Sequence, residues 1–199
     1  MKFYNKQPFH ICLIVFSIVA DQLTKLWALA RFTNETGAPN HEFIKVIGEQ
    51  WIRFRLVFNE GAAFSMRPQK LMPFLPPWAF YLLISIIAAG VLFWFYRSID
   101  KRDYLSRLGV VMIIGGAIGN FIDRMRLQKV VDFIDCDLPD FIMERFPTFN
   151  VADCFVTVGV SLVILSPLIL RKLHKQIKEE EKSRKEAKVT KAGIDSAKH

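Results

Sequence analysis

The chemistry that this 199-residue chain can offer rests on carboxylates. No serine stands in a nucleophile elbow, and His10, His41, His174 and His199 lack metal-ligand spacing. Cys136 and Cys154 lack a histidine partner that would make a thiolate. Two aspartates stand ahead of the others, Asp132 in "VVDFI" and Asp153 in "NVADCFVTVGV". Two such side chains within a few ångströms cannot both ionise cheaply, so one keeps its proton near neutral pH. The ionised one can then activate water while the protonated one donates to a carbonyl oxygen. Such a pair hydrolyses an amide with no metal and no covalent intermediate. Local structure offers a plainer account of half the pair. With Asn150 as N-cap and Asp153 as third helical residue, the two form a capping box at the positive end of a helix dipole.

The elements that must position these residues are membrane spans. Hydrophobic residues make up 52% of the chain, including 18 Phe, and they fall in blocks rather than dispersed at the period of a soluble domain. Four segments are long enough to matter: Phe9–Ala30, Trp78–Tyr96, Leu108–Ile122 and Val151–Leu170. The third is short and extends toward Leu105. A signal peptide is the rival reading of the first, with Lys2 and Lys6 before it and a cleavage-like "ALA" at Ala28–Ala30. Asp21, Gln22, Thr24 and Lys25 interrupt the apolar region where a signal peptide is plain, so the segment reads as a retained helix.

The formal net charge is +8. Its basic residues flank apolar runs and fill the tail, which suits an anionic membrane surface and not nucleic acid. Arg97–Arg107 holds four basic residues in eleven and the tail after Leu170 ten in 29, against six in 47 for residues 31–77. The positive-inside rule then puts both termini and the short connection in the cytoplasm. The expected fold is an all-α membrane protein with four transmembrane helices, N-in and C-in, and a small extracytoplasmic β element. That element is expected around "WIRFRLVFN", where Ile52, Phe54, Leu56 and Phe58 alternate with Trp51, Arg53, Arg55 and Val57. "SMRPQKLMPFLPPW" is expected to be irregular, because its prolines limit regular structure. The Lys- and Glu-rich tail is expected to be solvated and helical at most in part. Three cysteines, with Cys12 and Cys154 in or beside apolar runs, imply no disulfide framework.

In this topology Asp21, Asn59, Asp123, Asp132 and Asp153 converge on the outer membrane face, where ionisable groups usually line a functional cavity. Structural readings stand beside each. Asp21 can pair with Lys25 one turn on, and Asp123, next to Arg124, can be an interfacial anchor. Gly115 and Gly119 suit close helix packing. The acidic cluster Asp132, Asp135, Asp137 and Asp140 by itself resembles a solvated loop or a weak cation site. A small transporter is one alternative, although transporter sites gather at the midplane, often between repeats. A metal-dependent lipid phosphotransferase is another, although its carboxylates should face the cytoplasm.

"DQLTK" (Asp21–Lys25), "NEGAAFS" (Asn59–Ser65), "GNFIDR" (Gly119–Arg124), "VVDFI" (Val130–Ile134) and "FNVADCFVTVG" (Phe149–Gly159) occur in this order. Together they resemble the lipoprotein signal peptidase family, signal peptidase II, from about Val19 to Leu170. The resemblance implies an aspartic endopeptidase in the bacterial cytoplasmic (inner) membrane, with its site at the outer, periplasmic face. It would remove signal peptides from diacylglyceryl-modified prolipoproteins, cutting just before the lipidated cysteine. The implied catalytic pair is Asp132 and Asp153. Asp21, Lys25, Asn59, Asn120, Asp123, Arg124 and Asn150 take supporting places, and no metal or cofactor is expected. Residues 1–170 would form one peptidase domain, with an outer loop over 31–77, and 171–199 a cytoplasmic tail. The expected partners are the prolipoprotein and membrane phospholipids, the protein itself being a monomer. The outer strand and the Gly61–Phe64 segment are expected to clamp the peptide by edge pairing, with Phe58 and Phe64 contributing.

Overall fold

The computed structural model describes residues 7–48, 51–61, 72, 74–137 and 146–196. Helix α1 covers Gln7–Phe32, strand β1 Ile44–Ile47, β2 Ile52–Asn59, helix α2 Pro77–Ser98 and α3 Tyr104–Leu127. Strand β3 covers Val130–Cys136, helix α4 Val151–Ile169 and α5 Arg171–Ser196. Helices α1 to α4 are each long and apolar enough to cross a membrane. Their outward faces carry exposed Phe16, Ile86, Trp94 and Leu168, side chains that hydrocarbon solvates and water does not. Four spans with a small sheet is the architecture read from the sequence.

Helix α3 lies centrally, packed on α1, α2 and α4. Its glycines make that possible. A Cβ at Gly115 would lie 2.7 Å from Ser17 Cβ on α1, and one at Gly109 would lie 2.5 Å from the carbonyl oxygen of Gly159 on α4. A Cβ at Gly116 would lie 2.9 Å from Val156 Cγ2 and closer still to the Ala152 carbonyl oxygen. Backbone cannot give way as a side chain can, so Gly116→Ala must push α3 and α4 apart. The expected cost is about 1–3 kcal/mol of stability, as for overpacked cores. Thermal unfolding in detergent measures it, and an unchanged midpoint would contradict the close packing.

The third span is longer than Leu108–Ile122. Its polar first turn is satisfied inside the protein: Asp103 caps it, accepting the Ser106 N–H at 3.0 Å and the Ser166 hydroxyl of α4 at 2.6 Å. At the other end the helix runs past Asp123, with Arg124 and Arg126 in its last turn beside the negative end of the dipole. Gln128 then adopts a left-handed conformation (φ 59°) and turns the chain into β3.

Strand β3 corrects the reading of its acidic cluster as a loop. The sheet has the order β1-β2-β3, antiparallel throughout, with Phe54 opposite Ile134 and Val57 opposite Asp132. β2 is the middle strand, with β3 along one edge from Ile52 to Asn59 and β1 opposite only Ile52–Phe54 on the other, so among the described residues the edge left for the expected peptide clamp is the stretch beyond Phe54. Phe64 of that clamp lies outside the described residues, as do Asp140 and most of "SMRPQKLMPFLPPW". The sheet packs on the end of α1 through Ala28, Phe32, Leu56, Val131 and Phe133. The Trp27 ring meets Phe32, Phe54 and Phe133 edge-on.

The tail also differs from expectation, being helical as far as Ser196. Lys and Glu are good helix formers, and Lys175–Glu179 and Lys182–Glu186 add pairs one turn apart. Glu180 takes both Nη atoms of Arg102 at 2.9 Å, tying α5 to the α2–α3 connection.

Candidate active site

The capping box sits at the head of the site. Asn150 has extended backbone, its side-chain oxygen accepts the Asp153 N–H at 3.0 Å, and the Asp153 carboxylate accepts the Asn150 N–H at 3.2 Å. The structural account of this pair therefore holds, and a second role is added to it. The Asn150 amide nitrogen also lies 2.7 Å from Asp132 Oδ1, 3.1 Å from Asn120 Oδ1 and 3.3 Å from the Val131 carbonyl. One fully buried amide thus links the N-terminus of α4 to the middle of β3.

Asp132 is held on both oxygens, since Asn59 Nδ2 donates to Oδ2 at 3.1 Å. Asn59 is fixed in turn by accepting the Gly61 N–H at 3.0 Å. The Gly61 carbonyl oxygen accepts from Arg124 at 3.4 Å, and the Arg124 guanidinium lies 5.7 Å from the Tyr81 ring centre. Asp153 Oδ1 accepts from Asn120 Nδ2 at 2.8 Å. Burial pushes the Asp132 carboxyl up to about 7, reinforced by the nearby Asp153 charge; the bonds from Asn59 and Asn150 and the Lys25 charge offset only part of it.

Beneath the pair lies a buried ionic knot. Lys25 Nζ is 2.9 Å from Asp21 and 2.9 Å from Asp123, and donates to Asn120 Oδ1 at 2.8 Å. The expected Asp21–Lys25 pair is present, with partners on α3 that the sequence did not announce. Asp123 is no interfacial anchor: it is 2% exposed and accepts the Val131 N–H at 3.1 Å, fixing the strand that carries Asp132. Asp21 accepts the Ala152 N–H at 2.9 Å, satisfying another free donor of α4. Gln22, read only as an interruption of the first apolar run, has an amide that reaches Asp21, the Gly119 carbonyl and Asp123, each at 3.2 Å. Its place inside "DQLTK" was the available signal.

Asp135 was read with the loop. It is 1% exposed, with Arg53 at 2.5 Å and Arg55 at 3.0 Å. Among the described residues no group of three His, Cys, Asp or Glu is placed to hold a metal ion.

Two hollows meet at Asn59 and Asp132. One, of about 530 Å³, is largely apolar and continues along α4 past Cys154, Thr157 and Val158. The other, of about 360 Å³, is bounded by Phe58, Glu60 and Gly61. Pro147 and Thr148 border both. An extended chain laid across the junction would cross Asp132 with Asp153 beside it.

Residues 13–169 match a family model described as signal peptidase (SPase) II. The lipoprotein signal peptidase of Latilactobacillus sakei is 34% identical over 164 residues, 82% of this chain and 96% of that protein. The lipoprotein signal peptidase of Coxiella burnetii (strain Dugway) is 37% identical over 160 residues, 79% of this chain and 88% of that one. A bacterial membrane enzyme solved in meso at 1.9 Å resolution superposes with a TM-score of 0.64 at 28% identity, covering 81% of this chain and 94% of its own.

Proposed function

The chain belongs to the signal peptidase II family of lipoprotein signal peptidases, and from that premise we propose that it is an aspartic endopeptidase of the bacterial cytoplasmic membrane. Its substrate is a diacylglyceryl-modified prolipoprotein, cut just before the lipidated cysteine. Both termini lie in the cytoplasm and the sheet end of the bundle at the outer surface, in keeping with the positive-inside rule. Membership of a peptidase family leaves the transporter and lipid phosphotransferase readings without support.

The observation that carries the reading is the Asn150 amide, joined to Asp132 by its side chain and to Asp153 through the capping box. It holds two carboxylates together at the junction of two hollows. Asp132 carries the shared proton, in line with the upward push on its carboxyl. Asp153 takes a proton from water, and the resulting hydroxide attacks the scissile carbonyl carbon while Asp132 protonates the carbonyl oxygen. The tetrahedral diol then collapses. Asp153 gives its proton to the departing nitrogen, and Asp132 recovers one from a hydroxyl as the C–N bond breaks. The lipidated substrate enters sideways from the bilayer, and the apolar hollow along α4 offers it a continuous greasy path.

The test is cleavage of a diacylglyceryl-modified prolipoprotein peptide by the purified protein in detergent, with chelator present throughout. Cleavage on the N-terminal side of the modified cysteine is expected; activity abolished by chelator, or equal on the unlipidated peptide, would sink the reading. A pH series adds a signed prediction. Raising the pH through about 7 removes the Asp132 proton, so kcat/KM should fall about tenfold per pH unit above that point. A rate still climbing at high pH would put the essential proton elsewhere.

A further inference from the structure

The sheet has an edge that the strand count conceals. Phe149 is bridged to Ile134 of β3, donating its N–H to the Ile134 carbonyl at 3.0 Å and accepting from the Ile134 N–H at 2.8 Å. In an extended chain, neighbouring residues present their N–H and C=O groups in opposite directions. With Phe149 facing β3, the main chain of Thr148 faces away from the sheet. Among the described residues no main-chain partner meets the Thr148 N–H or C=O. Thr148 is half-buried, Pro147 beside it is exposed, and both border the two hollows that meet at Asp132. Unpaired edge groups of this kind are a template for another strand.

The edge is also braced. Thr148 Oγ1 accepts from Arg55 Nη2 at 3.4 Å, and Arg55 is held by the buried Asp135, which also binds Arg53. This gives the Arg53–Asp135–Arg55 group, otherwise remote from the chemistry, a task. It fixes the position of a main-chain segment that stands two residues before Asn150.

We propose that the main chain of Thr148 is the docking edge for the scissile peptide, which adds in extended form beside Pro147–Phe149 and is thereby drawn across Asp132 and Asp153. The proposal rests on the peptidase reading. Recognition through main-chain bonds supplies affinity that does not depend on the side chains of the docked peptide.

The test leaves the enzyme unaltered. A lipidated peptide is made as a series in which one amide at a time, on either side of the cut, is replaced by an ester, so that one N–H is lost and its neighbouring carbonyl weakened. One or two positions should lose about tenfold in kcat/KM, the worth of a single hydrogen bond, and the others should stay within about twofold. In parallel, amide exchange at Thr148 is followed by NMR while the wild-type protein is saturated with a peptide whose scissile amide is reduced to an amine. Exchange at Thr148 should slow at least about tenfold. A parent peptide that is cleaved normally, with no ester-sensitive position or with Thr148 exchange unchanged, overturns the docking edge and leaves the peptidase reading standing. A parent peptide that is not cleaved overturns both.

Discussion

Asp132→Asn and Asp153→Asn are each expected to lower kcat/KM by about 10⁴-fold, the upper range for removing a general acid or base. An amide can neither shuttle the proton nor polarise water, yet it has nearly the shape of the carboxyl it replaces, so the loss is chemical and not a matter of bulk. The two variants should differ in a secondary respect. At 132 the new amide must present its oxygen to the Asn150 amide and its nitrogen toward Asn59 Nδ2, a donor facing a donor across what is now 3.1 Å. Asn59 cannot simply flip, because its oxygen holds the Gly61 N–H. Asp132→Asn should therefore also loosen the Asn59–Gly61 turn, seen as faster amide exchange at Gly61. At 153 an amide can keep the oxygen toward the Asn150 N–H only by turning its nitrogen to Asn120 Nδ2, which can itself rotate only by breaking with Lys25. Retention of more than about a hundredth of wild-type activity in either variant would break the assignment of the pair.

The second large effect is on stability. Lys25→Met should cost about 3–5 kcal/mol, the usual consequence of removing one member of a buried ion pair. Lys25 is 1% exposed and Asp21 and Asp123 are 0% and 2%, so the variant would leave two carboxylates facing each other with no cation and little water. The damage should spread to the chemistry, because Lys25 also orients the oxygen of Asn120, whose nitrogen holds Asp153. Adding Asp21→Asn to Lys25→Met should recover a good part of the stability, since it removes one orphaned charge while keeping the acceptor that meets the Ala152 N–H. Thermal unfolding of the single and double variants in detergent measures this. Additive losses would mean the three groups do not act as a unit.

These two predictions also mark where sequence reading works and where it stops. The spans were legible because lipid demands long apolar runs, and the capping box because its partners are three residues apart. The convergence of Asp21, Asp123, Asp132 and Asp153 followed from alternating the direction of the spans. What stayed hidden depends on distant partners. "DFIDCD" carries too many acids to read as a strand, until Asn59 and Asn150 are found on Asp132, and Arg53 and Arg55 on Asp135. The extension of α3 toward Leu105 was legible, but its run past Ile122 to Leu127 was not, because Asp123 has its partners in Lys25 of α1 and the Val131 N–H of β3. The central place of β2 in the sheet follows from β3.

The shared Asn150 amide has a consequence for the order in which the chain becomes active. Asp132 and the ionic knot are complete by β3, but Asn150 and Asp153 belong to α4, the last of the four spans in chain order. A chain synthesised only as far as β3 holds Asp132 by Asn59 alone and lacks Asp153. The Asn150 side chain that caps α4 through its oxygen seats Asp132 through its nitrogen, so starting the final span and bringing the two carboxylates together depend on one residue. If Asp132 and Asp153 are the working pair, proteolytic competence is withheld during insertion and arrives only once the last helix is in place.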